Sequence, residues 1–544
     1  MKDMKYSKGI TRVAVALTAL FSLGGCMDNY INRNPFETTL EEMGRDNYVV
    51  GSNLKTLEAQ VVPTQEHLYQ FMEAMCGGAY GGYFCETRTG WGEKYSTYNP
   101  KSDWLKGAYS TPIINTYPSY RKLMKLEDIP VPQAIAKVLR VAIMHRTTDM
   151  FGPIPYSNII AQNETADELS AKYDSQKEVY LQMFKELEEA DKVLEENSTL
   201  DADALKKQDD VYYGDISKWR KYLHSLQLRM AIRLSYVTEM KTEVQRIAET
   251  AVSAGVIENN NDNAMMHVEE NRSALCFNNW NDHRIGADIV CYMNGYNDPR
   301  RPKYFTQGAG EDTPGYYGIR IGIQPSKITD EQLVNTYSNR LMTEKDPYLW
   351  MTAAEVAFLR AEGALRGWTM GDNAQNLYEK GITLSFEQHG VAAEADAYIS
   401  NTSLTPDAYN DPLGEYSTNS PSTITIAWNA DTGSDHFEEN LERIITQKWI
   451  AIYPLGIEAW CEYRRTGYPK RLPIVDNKSK FPALTDMGIR RLRYPAEEYS
   501  LDGGHVKEAV QMLGGDEINI RLWWDCNPNI IKIEKLNLKK KSHE

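Results

Sequence analysis

The sequence predicts a mainly α-helical protein built from packed helix pairs, with long irregular loops on one side and a few short strands. Three observations predict it. Apolar residues recur at steps of three and four in several segments of 544 residues. Small residues mark the intended helix contacts. Stretches rich in Asn, Asp, Gly, Pro and aromatics interrupt the helical pattern without a period of their own.

The elements follow in order. In 176–197, Tyr180, Phe184, Leu187 and Leu194 fall on one stripe. In 217–237, Trp219, Leu223, Leu226, Met230 and Leu234 do the same. In 347–368, Ala354, Phe358, Ala361, Leu365 and Trp368 share a face that lets a neighbour approach closely. The turn TMGD then leads into a second helix that stops at Gly390, a residue suited to a C-cap. Helix, short turn, helix with Ala and Gly at the contacts is the tetratricopeptide pattern. Segments 437–453 and 457–464 predict another pair. The fold class is therefore tetratricopeptide-like helix pairs forming an α-α superhelical scaffold. Loop-rich insertions are expected at 76–118, 259–329 and 400–434. No linker rich in Pro or Ser divides the chain, so 26–530 reads as a single domain and 531–544 as a basic, disordered tail.

The N-terminus carries a leader. Lys2, Lys5, Lys8 and Arg12 precede an apolar run at 13–23, which is shorter than the about 20 residues a membrane-spanning helix needs. LGGC follows and places Cys26 at a bacterial lipoprotein cleavage site. Residues 1–25 then read as a signal peptide, and Cys26 as the acylated first residue of the mature chain. Several acyl chains on one residue anchor stably, where one is marginal.

Composition excludes some functions. The chain has 60 Lys plus Arg against 75 Asp plus Glu, a net charge of −15, which argues against nucleic acid as partner. It contains no G-x-S-x-G, H-E-x-x-H or P-loop, and no G-x-G-x-x-G that opens a helix. The six remaining cysteines, Cys76, Cys85, Cys276, Cys291, Cys461 and Cys526, lack zinc spacing. A bridge between Cys76 and Cys85 is chemically open, but the sequence commits to no disulfide. No cofactor is expected. Asn259 to Asn263 offers oxygens that suit calcium, yet lacks the spacing and bidentate Glu of an EF-hand and reads as a polar turn. His283 reads as a surface histidine without a role.

The aromatic loops carry the functional signal. Tyrosine is unusually common, 34 against 12 Phe. Sugar C–H faces stack on Trp and Tyr, while Arg, Asn and Asp bind hydroxyls. Trp91, Tyr95 and Tyr98 lie beside Arg88 and Asn99; Trp280 lies beside Asp282 and Arg284; Tyr316 follows a glycine-rich turn. These nine are the candidate ligand residues. Tyr80, Tyr83 and Phe84 are expected to be packing.

Several motifs occur in a fixed order: the lipobox at Cys26, DMFGPIPYS at 149–157, YLWMTAAEVAFLRAEGALRGW at 348–368, KWIAIYPLGIEAWCEYRRTGYP at 448–469, RLRYPAEEY at 491–499 and RLWWD at 521–525. Together they resemble the SusD/RagB family over essentially the whole mature chain. GYF before a Trp- and Tyr-rich loop, and NDPR at 297–300, resemble its nutrient-binding outer-membrane lipoproteins. The resemblance implies a non-enzymatic lid over a SusC-like TonB-dependent transporter. It would capture oligosaccharides, or in some members peptides, outside the cell. Within RYPAEEY, Arg493 and Glu497 are expected to pair. A tetratricopeptide adaptor without a small ligand and a lipid-anchored glycosidase are the competing readings.

Overall fold

The computed structural model describes residues 48–157, 159, 171–201, 203, 205–324, 328–430 and 436–532. The leader, Cys26 and most of the basic tail lie outside the described residues. The described residues from Val50 onward form one compact unit.

Helices dominate it. The ones that position the site are α1 (Ser102–Met124), α2 (Pro130–Phe151), α3 (Gln176–Glu196), α4 (Ile216–Arg233), α5 (Lys241–Ala254), α6 (Ala287–Gly295), α7 (Asp330–Thr336), α8 (Ala353–Leu365), α9 (Ala374–Gln388), α10 (Phe437–Ala451) and α11 (Gly456–Thr466). Consecutive helices α1 and α2, α2 and α3, α4 and α5, and α8 and α9 pack against each other; the small-residue pattern predicts the α8–α9 pair, whereas α10 packs on α8 and α9 rather than pairing with α11 as expected. Side chains set their starts. Ser175 and Glu178 form a capping box on α3, and Asp215, Thr352 and Asn373 cap α4, α8 and α9. Gly390 has φ +68°, the left-handed geometry that closes α9.

Three expectations change. The stretch YLWM does not begin the helix at 353; Tyr348–Met351 is a strand, β4, antiparallel to β2 (Ala264–Met266). Its bulky aromatic and aliphatic residues suit a pleated surface. The predicted 76–118 insertion shrinks, because helical turns run through Gln70–Gly77 and Gly78–Gly81, and α1 continues through Pro112 and Pro118. Trp104, Leu105, Tyr109, Ile113, Tyr117 and Tyr120 bury one face of α1, and that burial outweighs two lost backbone donors. Finally, Glu497 pairs with Lys106 at 2.7 Å rather than with Arg493.

The pairs meet around buried charge. From α4, Arg233 reaches Glu458 at 2.5 Å, Glu462 at 2.8 Å and Asp149 of α2 at 3.4 Å. Arg229 binds Glu355 of α8 at 2.8 Å. From α11, Arg465 binds Glu362 at 2.5 Å and Glu462 at 2.5 Å. Lys448 of α10 lies 3.4 to 3.8 Å from Glu355, Glu458 and Glu462. All of these side chains are buried. Burial alone would raise the Glu362 carboxyl; Arg465 and Arg366 outweigh it and hold it at about 2.

Two outcomes follow. Arg465→Met should cost about 3–5 kcal/mol, because it removes the buried cation shared by Glu362 and Glu462 and leaves their negative charge under-compensated in the interior. Glu362 ionises at about 2 when folded against 4.5 unfolded, so its charge stabilises the fold above about pH 4.5 and that share is lost as pH falls towards 2. Urea midpoints of wild type and Glu362→Gln should therefore differ most at pH 7 and converge at low pH. A gap that is constant with pH would contradict the charge assignment.

Candidate functional site

A short ladder assembles the site. β1 (Phe84–Glu86) pairs antiparallel with β3 (His283–Ile285), with Phe84 opposite Ile285 and Glu86 opposite His283. The two aromatic segments read from sequence therefore leave the ladder side by side. Arg88 donates from Nε to Asp282 Oδ1 at 2.5 Å and from Nη2 to the Trp280 carbonyl at 2.5 Å. Asp282 also accepts from Gln70 Nε2 at 2.7 Å. Thr87 donates its amide to the Asp282 carbonyl at 2.8 Å. Asp330, at the start of α7, accepts from the Thr89 amide at 2.8 Å and hydroxyl at 2.6 Å, and lies 3.6 Å from Arg88. Burial pushes the Asp282 carboxyl up and Arg88 opposes the shift; for Asp330 the bonds from Thr89 outweigh burial and hold it below its ordinary value. Arg88 and Asp282 are thus a clasp between two loops.

Trp280 stands on this clasp. It is half-buried and stacks on His67, with ring centroids 4.8 Å apart and planes at 16°. Trp91 stands on a different base. It is half-buried against Trp104 at 5.4 Å, and Trp104 in turn stacks on Tyr95 at 5.8 Å and Phe71 at 6.0 Å. No atom lies within 4 Å of where side chains on the flanking Gly90 and Gly92 would begin, so Trp91 rises from an open loop. Asn99 closes that loop: its Oδ1 accepts from Thr97 at 2.5 Å and its Nδ2 donates to the Gly92 carbonyl at 3.1 Å. Both Trp rings keep an exposed apolar part; that of Trp91 is backed by the buried Trp104, which lowers the ordering cost of stacking a ligand.

Other candidates sit elsewhere. Tyr95 is fully buried and Tyr98 is 6% exposed, so neither offers a face to ligand; their rings pack edge-on against Tyr80 at 5.7 and 5.8 Å. The placement of these two tyrosines at the surface is corrected. Their spacing from Trp104 and Tyr80 gave them an aromatic core to join. Arg284 is buried too. It donates to the carbonyls of Val334 and His283 and to Asn281 Oδ1, and burial lowers it to about 10. It braces β3 from behind. His283 is fully buried rather than superficial, and burial lowers it to about 3, so it is neutral. Tyr316 is half-buried under the Arg301 guanidinium, 5.4 Å from its ring, and belongs to the C-terminal end of α6 through Asn294. The structure thus gathers Arg88, Trp280, Asp282 and Arg284 into one cluster, adds Trp91 and Asn99 on the neighbouring loop, and sets Tyr316 apart.

Sequence reading missed His67, Gln70 and Asp330. None carries a local motif, and each meets its partner more than 200 residues away in sequence. Asn260 and Asn263 bond to Leu384 and Ala353 and so serve as a brace for α8 and α9. Among the described residues no group of His, Cys, Asp and Glu is placed to hold a metal ion, and the six thiols are free. No described helix is long and apolar enough to cross a membrane.

The clasp makes an expectation of its own. Asp282→Ala should release the Arg88 Nε and the Gln70 amide from their shared carboxylate, raising hydrogen exchange at the neighbouring Thr87 amide, which bonds to the Asp282 carbonyl, and lowering the melting temperature by a few degrees. Unchanged exchange there would contradict the clasp.

The sequence matches the SusD-like family model, "Susd and RagB outer membrane lipoprotein", over residues 30–525. Three solved structures are similar to it. A SusD homologue from Bacteroides thetaiotaomicron VPI-5482 is 58% identical, with 88% of this chain and 99% of that chain covered and a TM-score of 0.84. A SusD homologue from Bacteroides uniformis ATCC 8492 is 40% identical over 88% and 99%, with a TM-score of 0.81. A chitin-binding SusD homologue from Flavobacterium johnsoniae is 34% identical over 88% and 99%, with a TM-score of 0.79. No curated protein matches the chain. The chain belongs to the SusD-like family, whose members are nutrient-binding outer-membrane lipoproteins with a tetratricopeptide-like helical architecture.

Proposed function

We propose that this SusD-like chain captures an oligosaccharide at the cell surface and hands it to a SusC-like TonB-dependent transporter. One observation carries the reading. Two partly exposed indole rings stand on neighbouring loops, Trp91 against the buried Trp104 and Trp280 stacked on His67, while the nearby charges of Arg88, Asp282 and Asp330 are spent on one another. Such a surface offers flat apolar faces and backbone polar groups, which suit a neutral sugar better than a charged peptide. The chitin-binding relative from Flavobacterium johnsoniae supports the ligand class in general.

The remainder of the reading rests on family membership and the leader. Cys26 would carry the lipid anchor, and the protein would face the cell exterior as a lid. A ligand enclosed between lid and barrel gains contacts from both, so modest affinity on each side is enough. No cofactor enters this scheme. Calcium would be a separate addition, and titration with the metal alone would reveal it.

Isothermal titration against a panel of glycans and peptides tests the ligand. Trp280→Ala and Trp91→Ala should each weaken binding of the active glycan by about tenfold or more, equivalent to about 1.4 kcal/mol. Their melting temperatures should stay within a few degrees of wild type. A fall of roughly ten degrees for Trp91→Ala would make that ring part of the core and remove it from the site. A peptide that binds in place of every glycan would replace the oligosaccharide reading. Cys26→Ala should move the protein from the membrane to the soluble fraction; retention in the membrane would exclude Cys26 as the anchor.

A further inference from the structure

A cleft that shares no lining residue with the indole loops lies between the end of α11 and residues 527–532, with a volume of about 570 Å³. Two tyrosines flank it on either side of Gly467, whose φ of +80° turns the chain back after α11. The hydroxyl of Tyr463 donates to the Asp486 carbonyl at 3.2 Å, and that of Tyr468 to Glu438 Oε2 at 3.1 Å. Both phenols are therefore fixed at their polar tips. Arg471 covers the Tyr463 ring at 3.7 Å and adds to its rigidity. Ile530 closes the apolar side. Polar capacity remains around the rim. Each Glu438 oxygen accepts one bond, the second from Asn529 Nδ2 at 2.9 Å, although a carboxylate can take about four. The Lys470 ammonium has three donors and makes an ion pair with Glu442 at 2.9 Å.

Charge and shape choose the ligand class. Lys470 is paired with Glu442 at 2.9 Å and Arg490 with Asp525 at 2.5 Å, while the Glu438 carboxylate accepts from Tyr468 and Asn529. With Lys470 and Arg490 already paired to carboxylates, the cleft gives no advantage to a phosphate or an acidic peptide. Its volume falls in the range of about 300–1,000 Å³ that small-molecule sites occupy. Immobilised aromatic faces with donors and acceptors of both signs at the rim match a neutral polyhydroxylated ring. We propose that this cleft is a second saccharide-binding site, for a mono- or disaccharide unit, built from Tyr463, Tyr468, Glu438, Asn529 and Lys470. The assignment rests on the chemistry of the cleft and shares no residue with the indole loops.

Saturation-transfer NMR and titration with maltose, cellobiose and N,N′-diacetylchitobiose at millimolar concentration test it on the purified protein. Four variants are compared: Trp91→Ala/Trp280→Ala, Tyr468→Ala, Tyr468→Phe, and Ile530→Trp, which fills the cleft from its rim. The expected result is a saturable signal from at least one sugar that survives in the double Trp variant. Tyr468→Ala and Ile530→Trp should each lower that affinity about tenfold or more, and Tyr468→Phe, which keeps the ring, should lower it less. Melting curves that match wild type for Ile530→Trp separate a blocked cleft from a damaged fold. Loss of all signal in the double Trp variant, or indifference to both cleft variants, overturns the proposal while leaving the indole site standing. Indifference to the Trp substitutions with sensitivity to the cleft variants supports the cleft and removes the indole site. Absence of any saturable signal with every sugar overturns the cleft.

Discussion

The rest of the structure depends on the burial of charge where α4, α8, α10 and α11 meet. Arg229, Arg233, Lys448 and Arg465 face Glu355, Glu362, Glu458 and Glu462 in the interior. Taking one such ion out of water carries a penalty of several kcal/mol, and only mutual pairing offsets it. Each member therefore constrains the others: Glu458 is shared by Arg233 and Lys448, and Glu462 by Arg233, Lys448 and Arg465. Burial would raise the Glu458 carboxyl, yet Arg233, Lys448 and Arg229 hold it well below its ordinary value. A helix that slid by one turn would leave several ions unpaired at once. The network thus penalises wrong registers more than it rewards the right one.

From this centre the constraint passes outward to the loops. α10 and α11 carry the Lys448 and Glu458 ends of the network and also the surface against which residues 77–84 pack. Gly77 and Gly456 let two backbones touch: a side chain begun on Gly456 would lie 2.3 Å from Gly77. Trp449 donates to the Gly81 carbonyl at 2.7 Å, and Tyr83 donates back to the Trp449 carbonyl at 2.5 Å. Trp460 packs on Tyr80 at 5.0 Å. β1 begins three residues after Gly81, so the Arg88 clasp hangs from a backbone fixed by the helical core. A binding face on loops gains from this, because its rings need little further ordering when a ligand arrives.

What was legible in the sequence follows from the range of each interaction. The stripes of α3, α4 and α8 and the stop at Gly390 are local, and they could be read directly. Burial of Tyr80, Tyr83 and Phe84 was legible as well, from their place at the GGYF core of the family resemblance. α1 was not, because its two prolines argue against a helix and only the tertiary contacts of Trp104, Tyr109 and Tyr117 overrule them. The pairing of Arg88 with Asp282 spans 194 residues, and no spacing rule reaches that far. Composition gave loops with the right chemistry for a sugar, but it could not separate rings that point outward from rings that plug the core. Tyr95 and Trp91 lie four residues apart in one loop, and only Trp91 keeps an exposed part.

The excess of tyrosine has a structural cause that bears on the site. Irregular loops leave backbone carbonyls without a ladder partner, and a buried carbonyl must find a donor. Tyrosine supplies one at the end of an apolar ring. Tyr292 donates to Lys470 at 2.7 Å, Tyr296 to Ile424 at 3.0 Å, Tyr378 to Ile426 at 2.6 Å, Tyr409 to Gly318 at 2.8 Å and Tyr494 to Pro153 at 2.6 Å. Each ring is buried, and each acceptor lies on an irregular segment. Phenylalanine would fill the same volume and leave the carbonyl orphaned, at a cost of about 1–3 kcal/mol. This fold carries long loops on a helical frame, so it needs many such donors, and tyrosine is abundant where phenylalanine is not. Most of the aromatic excess is therefore spent inside the protein. On the clasped loops the rings that keep an exposed part are the indoles of Trp91 and Trp280.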